Sequence, residues 1–167
     1  MWNALLRRAA AGLAILLLIA PVARSTEVVT GTLADRLNLM AERGAVVVGR
    51  LADAQLVLRG KTVEGTGTLE VERSLTGGLP PTVTLRWSNE VGLVCPRVDH
   101  QRLVGRRAVW ILGIPDGAWT ARNGDVTVLD RRGSDALVMQ LAPVASPSAV
   151  VRQVLDIAYA GLASDIP

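Results

Sequence analysis

The chain has 167 residues, half of them hydrophobic and a fifth charged, with 16 Gly, 8 Pro, one Cys, one His and no Phe. That composition excludes a disordered tail, a collagen-like repeat and a coiled coil, and the lone Cys and lone His exclude an internal disulfide framework, a zinc finger and a multi-histidine metal site within one chain. The net charge of +3 belongs to the start of the chain: Arg7, Arg8 and Arg24 meet no acid there, and 15 Lys and Arg remain to balance the 15 Asp and Glu. The basic footprint of a nucleic-acid binder is therefore missing from Thr26 onward.

Residues 1–25 read as a signal peptide. Arg7 and Arg8 form its positive region, Ala9 to Ala20 its apolar core, and Pro21 breaks that helix. Ala23-Arg24-Ser25 places small residues where a signal peptidase reads them, so cleavage is expected between Ser25 and Thr26. The apolar stretch between Arg8 and Arg24 is shorter than the ~20 residues that span a bilayer. An uncleaved membrane anchor is the alternative. No Cys lies near the cleavage site, which excludes a lipoprotein anchor. Arg in preference to Lys, with abundant Ala, Val, Leu and Gly, suggests a GC-rich bacterial genome. The expected location is the periplasm or the outside.

Further along, Leu33, Leu37 and Met40 recur at helical spacing, with Thr32 as N-cap and Gly44 as stop. Ala45 to Leu51 reads as a strand. Leu56 to Leu58 continues it, so the two pieces form one long strand bent at Gly49 or Asp53. Gly60-Lys61 is a turn. Gly65 to Leu75 alternates, and Thr82 to Trp87 alternates most cleanly, with Val83, Leu85 and Trp87 facing inward. Residues 88–105 read as irregular. Arg107 to Leu112 is a buried strand, Pro115-Asp116-Gly117 a turn, and Ala118 to Arg122 a strand paired through Asn123-Gly124 with Asp125 to Asp130. Residues 131–145 read as loose. Ser146-Pro147 opens a helix over 147–162, with Val150, Val151, Val154, Leu155 and Ala158 as its stripe and Gly161 at its end.

Short strands at about ten-residue spacing, flanked by one N-terminal and one C-terminal helix, point to a mainly β fold. The expectation is a small antiparallel OB-like Greek-key barrel forming a single domain over 26–167, with a β-sandwich as the alternative. Val46-Val47-Val48-Gly49-Arg50, Val71-Glu72-Arg73-Ser74-Leu75-Thr76-Gly77, Val83-Thr84-Leu85, Cys95, Leu103-Val104-Gly105, Ala108-Val109-Trp110-Ile111-Leu112 and Asp116-Gly117 follow in that order. Over about residues 44–130 this succession resembles small exported bacterial proteins related to the netrin-like domain of tissue inhibitors of metalloproteinases. The resemblance implies an OB-like barrel used as a protein-binding surface. It does not imply protease inhibition. Those inhibitors chelate zinc through a disulfide-locked N-terminal Cys, whereas the expected mature start here is Thr26 and Cys95 has no disulfide partner.

Asn89, Glu90, Cys95, Asp99 and His100 form the densest group of reactive residue types. A Cys95 nucleophile would need His100 as its base, but no local signature surrounds Cys95, and a buried inert thiol is the commoner role. Glu90, Asp99 and His100 do not fix a metal tetrahedron. Asn123-Gly124-Asp125 is a turn rather than a calcium loop. Gly65-Thr66-Gly67 and Gly77-Gly78 lack the strand–helix setting of a phosphate cradle. Trp87 and Trp110 read as core fillers. Trp119, in its hairpin, reads as exposed and, with Asn89, Glu90 and Asp99, as a candidate binding residue. No cofactor is called for. The expected function is a non-enzymatic envelope module that binds a protein or envelope component. A thiol enzyme or redox protein using Cys95 with His100, and a membrane-anchored structural protein, are the alternatives.

Overall fold

The computed structural model describes residues 31–90, 98–122 and 124–164. The first element, α1 (Leu33–Arg43), starts at a capping box. The Thr32 hydroxyl accepts the Asp35 N–H at 3.2 Å, and the Asp35 carboxylate accepts the Thr32 N–H at 2.9 Å. Two orphan donors of the first turn are satisfied in this way. Gly44 ends the helix at φ −153° and ψ −133°. Close approach rather than a left-handed cap explains the glycine, because a Cβ there would overlap the Leu112 carbonyl oxygen.

Five strands follow in two groups, β1 (Ala45–Leu51), β2 (Gln55–Arg59), β3 (Thr62–Ser74) and β4 (Thr82–Glu90), then β5 (Arg107–Leu112), with the single turn α2 (His100–Leu103) between them. A sixth strand, β6 (Val126–Val128), precedes α3 (Arg131–Leu141) and α4 (Ala149–Ser164). The strands form one antiparallel sheet, with β1 between β3 and β5, and β6 beyond β5. Strand β3 organises its other end. Its residues 69–74 pair with β1, its residues 62–66 with β2, and its opposite edge with β4. Strands β1 and β2 thus lie end to end along one edge of β3, interrupted at 52–54. The register slips by one residue where Val48 faces Arg73 and Gly49 faces Val71, leaving Glu72 as the extra residue of a bulge. Glu72 turns outward to both Arg50 and Arg107, at 3.0 and 2.6 Å.

The sheet curls into a half-barrel. Trp119 bridges Leu85 of β4 in parallel, and Thr120 bridges Gly113 just after β5 in antiparallel sense. The Arg86 N–H donates to the Trp119 carbonyl at 2.9 Å, and Gly113 and Thr120 exchange two bonds of 3.0 Å.

Strand β1 is buried on both faces, as a run of Val predicts. Ala45, Val47 and Leu51 point into the half-barrel with Leu69, Val83, Leu85, Trp110 and Leu112. Val46 and Val48 point the other way, with Val109 and Ile111, under α1, α3 and α4. The Trp110 indole N–H donates to the Gly49 carbonyl at 3.2 Å, satisfying the polar atom of the largest interior side chain.

Four expectations are corrected. Residues 131–141 are a helix, not a loose segment. The segment 118–122 does not pair with 125–130; it closes the half-barrel through bridges, while β6 pairs with β5. Residues 88–90 extend β4, and His100–Leu103 is helical, so the irregular stretch is shorter than expected. Helix α4 starts at Ala149 and runs through Gly161 to Ser164. The Ser148 hydroxyl, not that of Ser146, accepts from its first turn, at 3.4 Å from the Val151 N–H. The described strands form a single sheet, which does not fit two facing sheets of a sandwich.

Candidate functional site

Beyond the reach of β1, the strand ends β2, 62–66 and 86–90 form a three-stranded wing. Alternation puts Leu56, Gly65 and Trp87 in one row across it, because Leu56 faces Gly65 and Gly65 faces Trp87. The next row on the same face is Leu58, Val63 and Asn89. Leu56 and Leu58 are exposed, Val63, Trp87 and Asn89 half-buried. This face continues the half-barrel's interior, which explains why apolar residues persist where the sheet runs past its core.

Gly65 leaves a gap in that row, and the Trp87 indole leans across to fill it. A Cβ on Gly65 would overlap Trp87 Cε2 and Nε1, and one on Gly67 would lie 3.3 Å from Cη2. On its other side the indole stacks against His100, with ring centroids 3.8 Å apart and planes inclined by 10°. His100 opens α2 and is 4% exposed. Its Nδ1 and Nε2 are buried. Burial lowers its pKa from 6.5 to about 4, against the opposing pull of the Val98 backbone and the Asp99 carboxylate. The imidazole is neutral at pH 7 and packs as an aromatic plate.

Asp99 is exposed and caps α2, its carboxylate 3.1 Å from Arg102 Nε. It neighbours His100 in sequence but its charge is spent on the helix start and on Arg102. Glu90 is the last residue of β4, opposite Thr62. Cys95 lies outside the described residues, as do Ser25 and Thr26. Trp119, expected to be exposed, is half-buried against the half-barrel interior, because its segment closes the barrel instead of forming a free hairpin.

The wing thus gathers Asn89 and His100 around Trp87 and separates them from Trp119, which lies at the bridge to Leu85. The sequence reading missed Leu56, Leu58 and Gly65. Their signal was an apolar triplet without alternation, Leu56-Val57-Leu58, directly beside a two-residue turn. No group of three or more His, Cys, Asp or Glu able to hold a metal occurs among the described residues. No described helix is long and apolar enough to cross a membrane. Comparison with protein-family models, curated proteins and solved structures gives no match for this chain.

Proposed function

We propose that this protein is an exported, non-enzymatic binding module of the bacterial envelope that recognises a protein partner on the apolar face of the wing. The observation that carries the reading is the exposed pair Leu56 and Leu58 beside Trp87, on a sheet extension that lies beyond the core of the described residues. Exposed apolar patches of this kind on a rigid sheet are interaction surfaces. The strand order supports an OB-type barrel as the scaffold: β1 between β3 and β5, a short helix between β4 and β5, and a last segment parallel to β4 and antiparallel to β5. A neutral, buried His100 gives little support to a thiol–imidazole pair, since a base with a pKa of about 4 is poorly matched to a thiol near 8.5.

The test is a photocrosslinking residue at position 89, in cells that express the full sequence, against the same residue at position 139 on the far helix α3. A discrete adduct with a different protein, formed at 89 and absent at 139, is the expected result. Indiscriminate labelling at both positions, or none at 89, would overturn the reading. Recovery of the chain from the cytoplasm rather than the periplasm or medium would overturn the exported part.

A further inference from the structure

Strand β2 ends the sheet, and among the described residues no strand pairs with its outer edge. The turn Gly60-Lys61, with Gly60 at φ 61°, joins the facing pair Arg59 and Thr62. A two-residue hairpin closes on a hydrogen-bonded pair, so Arg59, Val57 and Gln55 direct their backbone groups to β3. The bond from the Ala52 N–H to the Thr68 carbonyl at 2.8 Å fixes the same parity, since Thr68 continues the series 62, 64, 66 on that edge. Leu56 and Leu58 therefore direct their N–H and C=O groups outward, unpaired. All five β2 residues are exposed, and Val57 and Leu58 are 53% and 66% exposed. The edge carries no Pro and no bulge, two of the usual devices that block strand addition.

We propose that a second copy of this chain pairs with this edge, antiparallel and centred on Val57, to form a two-fold dimer with a continuous sheet. Three features select this occupant. Antiparallel pairing about Val57 sets Leu56 against Leu58 of the other copy in both directions. These are the two residues whose outward groups are free, so every open donor and acceptor of the edge finds a partner. Val57 meets its own copy across the axis, and Gln55 meets Arg59. Opposite charges flank the edge symmetrically: exposed Asp53 and exposed Lys61, the chain's single lysine, each lie four residues from Val57, Asp53 keeping one carboxylate oxygen on the Thr68 N–H at 3.2 Å. A two-fold axis normal to the sheet also turns both apolar wing faces to the same side. Four leucines then adjoin, and the binding face proposed above is doubled, although the dimer does not depend on that function.

A five-residue edge buries less than a standard interface, so dissociation is expected at roughly 10–100 µM rather than in the nanomolar range. The experiment is sedimentation equilibrium across that range on the protein isolated from cells expressing the full sequence. Val57→Lys and Val57→Glu are compared with it, alone and mixed in equal amounts. Val57 is exposed, and circular dichroism checks that both variants keep the fold. The expected result is a monomer–dimer equilibrium, weakened at least tenfold in either variant alone and restored in the mixture, where Lys faces Glu across the axis. A wild-type monomer throughout, a dimer indifferent to both substitutions, or open-ended assembly would overturn the proposal. Loss of the position 89 adduct with an intact dimer would remove the binding function alone. The converse would remove the dimer alone.

Discussion

Gly65→Ala tests the central contact of the wing. In a strand the change should help by about 0.5–1 kcal/mol, since Ala loses less backbone freedom than Gly. Here the new Cβ would overlap the Trp87 indole at Cε2 and Nε1. Ordinary carbon contacts lie at about 3.5–4 Å, so the ring must swing by more than about 1 Å. His100 closes the other side at a 3.8 Å centroid separation, and the swing breaks that stack. Losing the stack costs about 0.5–1.5 kcal/mol and overpacking adds about 1–3 kcal/mol. Net destabilisation of about 0.5–4 kcal/mol is expected after the strand gain, with about 2 kcal/mol as the central value. The assay is a double-mutant cycle by urea denaturation, with Gly65→Ala measured in the wild type and in Trp87→Val. In the second background the overlap is gone, and Gly65→Ala should cost less than about 0.5 kcal/mol or stabilise. An equal cost in both backgrounds would refute the argument, because it would place the penalty in the backbone rather than in the indole.

Gly133→Ala should destabilise by about 2–4 kcal/mol, although helix propensity alone favours Ala by about 1 kcal/mol. A Cβ at 133 would overlap the Val128 carbonyl oxygen, a strand backbone atom that cannot yield cheaply, and an unchanged denaturation midpoint would contradict this. Gly161→Ala should cost less, because its Cβ would meet the Ser134 hydroxyl at 2.7 Å, a lighter contact that a small shift of α4 relieves; thermal melts of the two variants rank them. For pH, His100 is neutral in the fold down to about 4 while its ordinary pKa is 6.5. The unfolded chain therefore binds the extra proton between those values, so stability falls as pH drops from 6.5 and levels off below about 4. The loss from this group is no more than about 3–4 kcal/mol. His100→Phe keeps the stack and removes the titration, so its midpoint from pH 7 to 4 should fall less than the wild type's; parallel curves would argue against a buried neutral imidazole.

Local pattern was enough wherever burial followed a simple period. The capping box at Thr32, the alternation of Val83, Leu85 and Trp87, and the stripe of Val150, Val154 and Ala158 depend on neighbours within one element, and the elements form where those residues place them. Residues 131–141 are helical although they read as loose: Gly133 is the space through which α3 approaches the Val128 carbonyl, a contact with a segment outside the helix's own pattern. Gly124 stands in a turn, with the Asp125 N–H donating to the Arg122 carbonyl at 3.0 Å. It did not give the pairing, since a turn sets only the chain's reversal and the open edges of β4 and β5 offered Trp119 and Thr120 better partners.

Legible from sequence were the mainly β character, the helices at both ends and the inward side chains of the alternating strands and the helix stripe, but not Leu137, Leu141 and Trp119. Each legible feature follows from periodicity, and periodicity is local. Tertiary structure alone decided that β3 serves β1 and β2 on one edge and β4 on the other, so that Leu56, Gly65 and Trp87 form a row and His100 lies against it. Residues 56 and 100 are brought to one surface by strand pairing and sheet curvature. Those depend on which edges are free when the whole chain packs, and no window of sequence contains that information.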